Sequence, residues 1–167
     1  MKKTAFCAAI LFSFTTLLFA AEPKHGLQLS FNSDDPHAHL GARLDPRNAR
    51  LTITTRDGST SLILTNDNVA VQLTDAAIAN IRADDNAGFL EELLASGVRT
   101  MMNKSLSFPI AYLRDAEIVN GAIVITQEND KPLFTDVKVN RTEVMHDFAP
   151  GDAARFVNAF RAVKGQR

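Results

Sequence analysis

The chain has 167 residues, 46% of them hydrophobic, and carries 18 Lys and Arg against 19 Asp and Glu for a formal net charge of −1. That length suits one globular domain with a sizeable core. The near-neutral balance excludes the basic excess of a nucleic-acid binder, and a single cysteine excludes a disulfide framework.

The N-terminal residues carry the clearest message. Met1-Lys2-Lys3 is a short positive start, Ala5 to Phe19 holds no charge, and Leu18-Phe19-Ala20 ends on a small residue. A charged start, an apolar run and a small-residue exit form the pattern of a secretory signal peptide. The run is about 15 residues long, broken by Ser13, Thr15 and Thr16, whereas a membrane-spanning helix needs about 20. Glu22-Pro23-Lys24 follows it without a basic stop-transfer cluster. The expectation is a signal peptide over residues 1–20, cleaved after Ala20 or Ala21. The product would be periplasmic or secreted, with no transmembrane segment left, and the lysine-rich start has a bacterial look. Cleavage removes Lys2 and Lys3 and no acidic residue, which takes the net charge from −1 to −3. Cys7 precedes most of the apolar run, whereas a lipidation site follows it, so Cys7 reads as a passive apolar residue lost with the signal. The remaining chain has no cysteine and must hold together by burial.

Residues 22–48 read as a loop-rich segment. Leu27, Leu29 and Phe31 alternate with polar residues, a short strand signal. The clusters 32–36 and 45–48 are turn-formers, which makes 33–48 a surface loop or a loosely attached arm. Three strands come next, at 50–55, 61–65 and 69–73, separated by Arg56-Asp57-Gly58-Ser59 and Asn66-Asp67-Asn68. Tight turns between short strands predict an antiparallel meander.

A short helical stretch is expected over 75–81, then a main helix over about 87–103, capped by Asp84, Asp85 or Asn86. Phe89, Leu90, Leu93, Leu94, Val98, Met101 and Met102 follow one face of a 3.6-residue period. Gly97 costs that helix about 1 kcal/mol relative to Ala. The apolar face outweighs this, at roughly 1.5 to 3 kcal/mol per large side chain fully buried.

Ser107-Phe108-Pro109 ends this unit, because the residue before proline avoids the helical region. Residues 110–119 and 122–126 form a hairpin around Asn120-Gly121, and 133–139 and 142–147 are two further strands joined at Asn140-Arg141. The last element is an amphipathic helix. Pro150 suits its first position, Ala153, Phe156, Val157, Phe160 and Val163 form its apolar face, and Gly165 ends it. Residues 50–81 and 122–163 share a strand-strand-strand-helix order, which the ordinary grammar of α+β folds accounts for. The fold class is therefore α+β: one domain over 49–167, with an antiparallel sheet of about six to eight strands. One long central helix and the C-terminal helix pack on one face of that sheet.

Several residue groups invite a chemical reading. Asp34-Asp35-Pro36-His37-Ala38-His39 holds potential metal ligands, and His37 and His39 would share one side of a strand. No further ligands are visible, so a solvated polar loop is the preferred reading. His25 would need a free amine and intervening amide nitrogens to bind copper, and Pro23 removes one of these. His146-Asp147 with Ser105 or Ser107 would compose a hydrolase triad, but no nucleophile elbow supports it. Glu91 and Glu92 are helix neighbours about 100° apart and do not share a site. Met101, Met102 and Phe108 would either line an apolar pocket or fill the core; the core is preferred. Arg155, Arg161, Lys164 and Arg167 make a modest basic stripe, preferred as a solvated face. Asn103-Lys104-Ser105 and Asn140-Arg141-Thr142 match glycosylation acceptors, which matter only in a eukaryotic secretory pathway.

The expected function is a non-catalytic exported binding or accessory protein, without cofactor or metal. Its partner would be an unidentified protein or a small apolar ligand, and not nucleic acid. The alternatives are a carrier of a lipid or other apolar ligand, and a hydrolase with a scattered site around His146.

Overall fold

The computed structural model describes residues 29–30, 36–83, 101–139 and 142–166. The expected signal peptide, His25, Asp34-Asp35, most of the expected main helix with Glu91 and Glu92, the Asn140-Arg141 turn and Arg167 lie outside the described residues.

The meander forms as its alternation predicts. Strands β1 (Leu29–Ser30) and β2 (His39–Ala42) come first, then β3 (Leu51–Thr54), β4 (Thr60–Leu64) and β5 (Asn68–Leu73). Helix α1 spans Asp75–Ala83 and strand β6 spans Lys104–Pro109. Strands β2, β6, β5, β4 and β3 make a five-stranded antiparallel sheet in that order. Its register sets Leu51 opposite Leu64, Ile53 opposite Leu62, Val71 opposite both Leu62 and Leu106, and Val69 opposite Phe108. Side chains alternate across a strand, so these residues share one face, and all but Leu51 are buried. The other face mixes buried Ile63 and Ala70 with polar residues. Ser61, Gln72 and Ser105 are buried on it, and Ser105 Oγ donates to the Ala42 carbonyl at 2.9 Å.

The chain leaves this sheet at Pro109. Proline has no N–H to extend the ladder. Residues Ile110–Tyr112 form a 3-10 turn, tied back by Ile110 N donating to the Asp67 carbonyl at 2.8 Å. Strands β7 (Leu113–Val119), β8 (Ala122–Gln127) and β9 (Pro132–Leu133) then build a three-stranded antiparallel sheet. Asn120 at φ 51° and Gly121 at φ 82° close the β7–β8 hairpin in the left-handed region that primed turns demand. Strands β10 (Lys138–Val139) and β11 (Thr142–Glu143) pair with β1 in a third small sheet. Helix α2 (Pro150–Lys164) packs against β3 and β4 of one sheet and β7 and β8 of the other. Ala153, Phe156, Val157, Phe160 and Val163 are its buried residues, as their spacing predicts.

The mixed α+β class with antiparallel pairing holds, but its finer form is corrected in three places. One sheet of six to eight strands is replaced by three sheets, the largest of five strands. Residues 133–139, expected as one strand, split into β9 and β10 around Phe134, whose backbone is left-handed at φ 61°. Residues 33–48, expected as a loop or arm, contain β2. That strand has weak local propensity. It exists because β6 offers a ladder and because the following residues are pinned. Gln72 holds Leu44 by two hydrogen bonds, and Arg43 donates to the Leu73 carbonyl and pairs with Asp75, both at 2.6 Å. Of the expected long helix, Met101 and Met102 are helical and the rest lies outside the described residues. No described helix is long and apolar enough to cross a membrane.

Candidate binding cleft

A cleft of about 360 Å³ opens between the five-stranded and the three-stranded sheet. One wall is β6 at Leu106, with Pro36 and Ala38 leading into β2; the other is β8 at Gln127, β9 and the turn 134–137. Leu106, Leu133, Phe134 and Val137 are buried and give the cleft its apolar floor.

Gln127 is the unusual member. Along β8, alternation puts Ile123, Ile125 and Gln127 in one row. Ile123 and Ile125 belong to the hydrophobic core, and Gln127, 5% exposed as a residue, ends the row. Its backbone is fixed by the turn that follows: Gln127 N donates to the Lys131 carbonyl at 2.9 Å, and Asp130 N donates to the Gln127 carbonyl at 3.0 Å. Asp130 accepts φ 66° there, a conformation that Asp tolerates. The Gln127 side chain lines the cleft and its amide opens onto it; the buried side-chain atom left without a partner among the described residues is Thr52 Oγ1. Phe134 sits at φ 61° on the same wall; a positive φ is strained for a bulky residue and is held by its burial.

The residues singled out from sequence are dispersed. His37 lies in the turn before β2, outside the strand. Its ring stacks on Tyr112 with centroids 3.9 Å apart and meets Phe108 edge-on at 6.0 Å, while His39 opens β2. Among the described residues no three His, Cys, Asp or Glu side chains form a metal-binding group. His146 lies on an exposed 3-10 turn, 52% exposed, with Nε2 3.4 Å from Glu143 Oε2. Ser105 and Ser107 donate instead to carbonyls of β2, and Asp147 pairs with Arg56 at 3.1 Å, so the structure brings no triad together around His146. Met101 and Phe108 are buried in the core.

The basic stripe on α2 is engaged in ion pairs. Arg161 grips Asp115 through two bonds of 2.9 Å, Arg155 pairs with Asp152 at 2.5 Å, and Lys164 pairs with Glu128 at 3.0 Å and donates to the Leu113 carbonyl. The Arg161 hydrogen bonds hold the Asp115 carboxyl below the usual range, and Asp45 is lowered likewise by Arg47. For Asp57, burial pushes the carboxyl up. Hydrogen bonds from Thr55 Oγ1, Ser59 N and Ser59 Oγ outweigh that and leave it lowered. These three carboxylates clasp turns and strands and do not line the cleft.

The signal that locates the site was in the sequence all along: a glutamine continuing an apolar alternation. No protein-family model, curated protein or solved structure matches the chain.

Proposed function

We propose that this is an exported, non-catalytic binding protein and that its ligand sits in the cleft between the two sheets. Export is supported by the charged start, apolar run and small-residue exit of residues 1–20. Binding is supported by one observation above all: a mostly buried glutamine ends an apolar row at the wall of an open cleft and turns its amide to that cleft. An amide that opens onto a largely apolar cleft offers a ligand one donor and one acceptor at a fixed place. The apolar floor gives the ligand an apolar side, which keeps the carrier of a small apolar ligand as a variant of the same reading.

Native mass spectrometry of protein purified from a periplasmic fraction tests this. The expected result is a mature mass beginning near Ala21 together with a bound ligand mass. That ligand mass should be lost in Thr135→Trp, which fills the exposed rim. A bare mass in both proteins overturns the binding reading, and a chain that starts at Met1 in the cytosol overturns export.

A further inference from the structure

We infer that the cleft recognises the backbone of a short, uncharged, extended peptide segment, with Gln127 reading one peptide group through both its amide oxygen and its amide nitrogen. This rests on the cleft reading above and names the chemical class of its ligand.

The protein itself displays the mode of recognition. Gln72, 1% exposed, accepts from Leu44 N through Oε1 at 2.9 Å and donates through Nε2 to the Leu44 carbonyl at 3.0 Å. One side chain thus satisfies both main-chain groups of one residue. Gln127 carries the same donor and acceptor, is nearly as buried, and faces a cleft in place of a chain segment.

The walls agree with an extended occupant. Among the described residues β2 is the outermost strand of the five-stranded sheet, and β9 is the outermost strand of the other. The cleft lies beside the approach to one and against the other. An outer strand offers backbone N–H and C=O groups that a further extended chain can pair with. Pro36 and Pro132 flank the mouth and lack an N–H, so the pairing is short. The cleft volume of about 360 Å³ lies at the low end of the roughly 300–1,000 Å³ range of small-molecule sites, which also calls for a short occupant. Alternate side chains of that segment would rest on Leu106, Leu133, Phe134 and Val137. Among the described residues the charged ones lining the cleft are Lys131 and Asp136. Neither sign prevails, so an internal segment fits better than a charged terminus.

The probe is N-acetyl-Val-Ala-Val-Ala-Val N-methylamide, titrated into isotope-labelled protein and followed by amide NMR. Two ester analogues, which together replace alternating amides in both registers, remove N–H donors without changing shape. The expected result is a set of shifts at the Gln127 side-chain amide and around the cleft, with at least one ester analogue binding roughly tenfold more weakly. Gln127→Leu should lose a similar factor and should no longer distinguish amide from ester. Gln127→Glu, which accepts but does not donate when ionised, should fall between. If the esters bind as well as the amide, or if Gln127→Leu binds normally, peptide-group recognition is wrong while the cleft reading stands. Shifts confined to another surface overturn it too. If the peptide does not bind but native protein carries a ligand that Thr135→Trp excludes, the cleft serves a different chemical class. If neither binds, both readings fall.

Discussion

Truncating Phe160 to alanine tests the architecture most directly. Phe160 is fully buried on α2, the helix that bridges the five-stranded and three-stranded sheets. Removing a phenylalanine ring from such a place costs about 3–5 kcal/mol, the lost transfer free energy plus the cavity left behind. A whole domain has about 5–15 kcal/mol of stability, so this is a large share. Arg161 is the internal control. It is the next residue, its side chain is 53% exposed, and it makes a two-bond surface ion pair with Asp115. Exposed pairs contribute about 0–1 kcal/mol, so Arg161→Ala should barely register. Urea unfolding followed by circular dichroism separates the two. With a slope of about 2 kcal/mol per molar, Phe160→Ala should lower the midpoint by on the order of 2 M, and Arg161→Ala by less than about 0.5 M. An unchanged slope with a loss below about 1 kcal/mol for Phe160→Ala would refute α2 as the layer that joins the sheets.

Three further outcomes follow from single residues. Asp57 has a lowered carboxyl, so its stabilisation is present above the unfolded value of about 3.9 and is lost as pH falls through the folded value. Asp57→Asn should therefore be destabilised at pH 7, and urea midpoints should show that difference shrinking below about pH 4. Gly121 sits at φ 82°, so Gly121→Ala should cost about 1 kcal/mol or more and lower the thermal midpoint. Gln72→Leu leaves the Leu44 N–H and carbonyl without their partner, which should cost about 1–3 kcal/mol and speed hydrogen exchange at the Leu44 amide.

The local rules read much of this chain correctly. Leu51 and Ile53, Leu62 and Leu64, and Val69, Val71 and Leu73 alternate as a meander should. Asn120-Gly121 closes its hairpin, and the apolar spacing of α2 matches its buried face. What could not be read depends on neighbours distant in sequence. Strand β2 is held by β6, some 65 residues away, and by Gln72. The division into sheets turns on Pro109 and on where Ile110 anchors. Phe134 has high strand propensity yet breaks a strand, because its ring is buried from a left-handed backbone. His37, expected as a solvated histidine in a polar loop, is a packed ring stacked on Tyr112 and edge-on to Phe108. The basic face of α2 looked free, and Asp115, Glu128 and the Leu113 carbonyl occupy it.

The row Ile123–Ile125–Gln127 shows why the cleft and the core follow different rules on one strand. Helix α2 packs against β8, and the first two side chains of the row are apolar members of the core. At Gln127 the row meets the cleft, and an amide replaces the isoleucine that packing alone would favour. If the residue served the fold, replacing it with leucine would remove a useful hydrogen bond and destabilise the protein. If it serves a ligand, the amide of the free protein opens onto the cleft and adds little to stability. Gln127→Leu should then unfold at equal or higher urea concentration than the wild type while binding its ligand less well. A clear loss of stability would place the amide in the architecture and remove the reason to look for a ligand there.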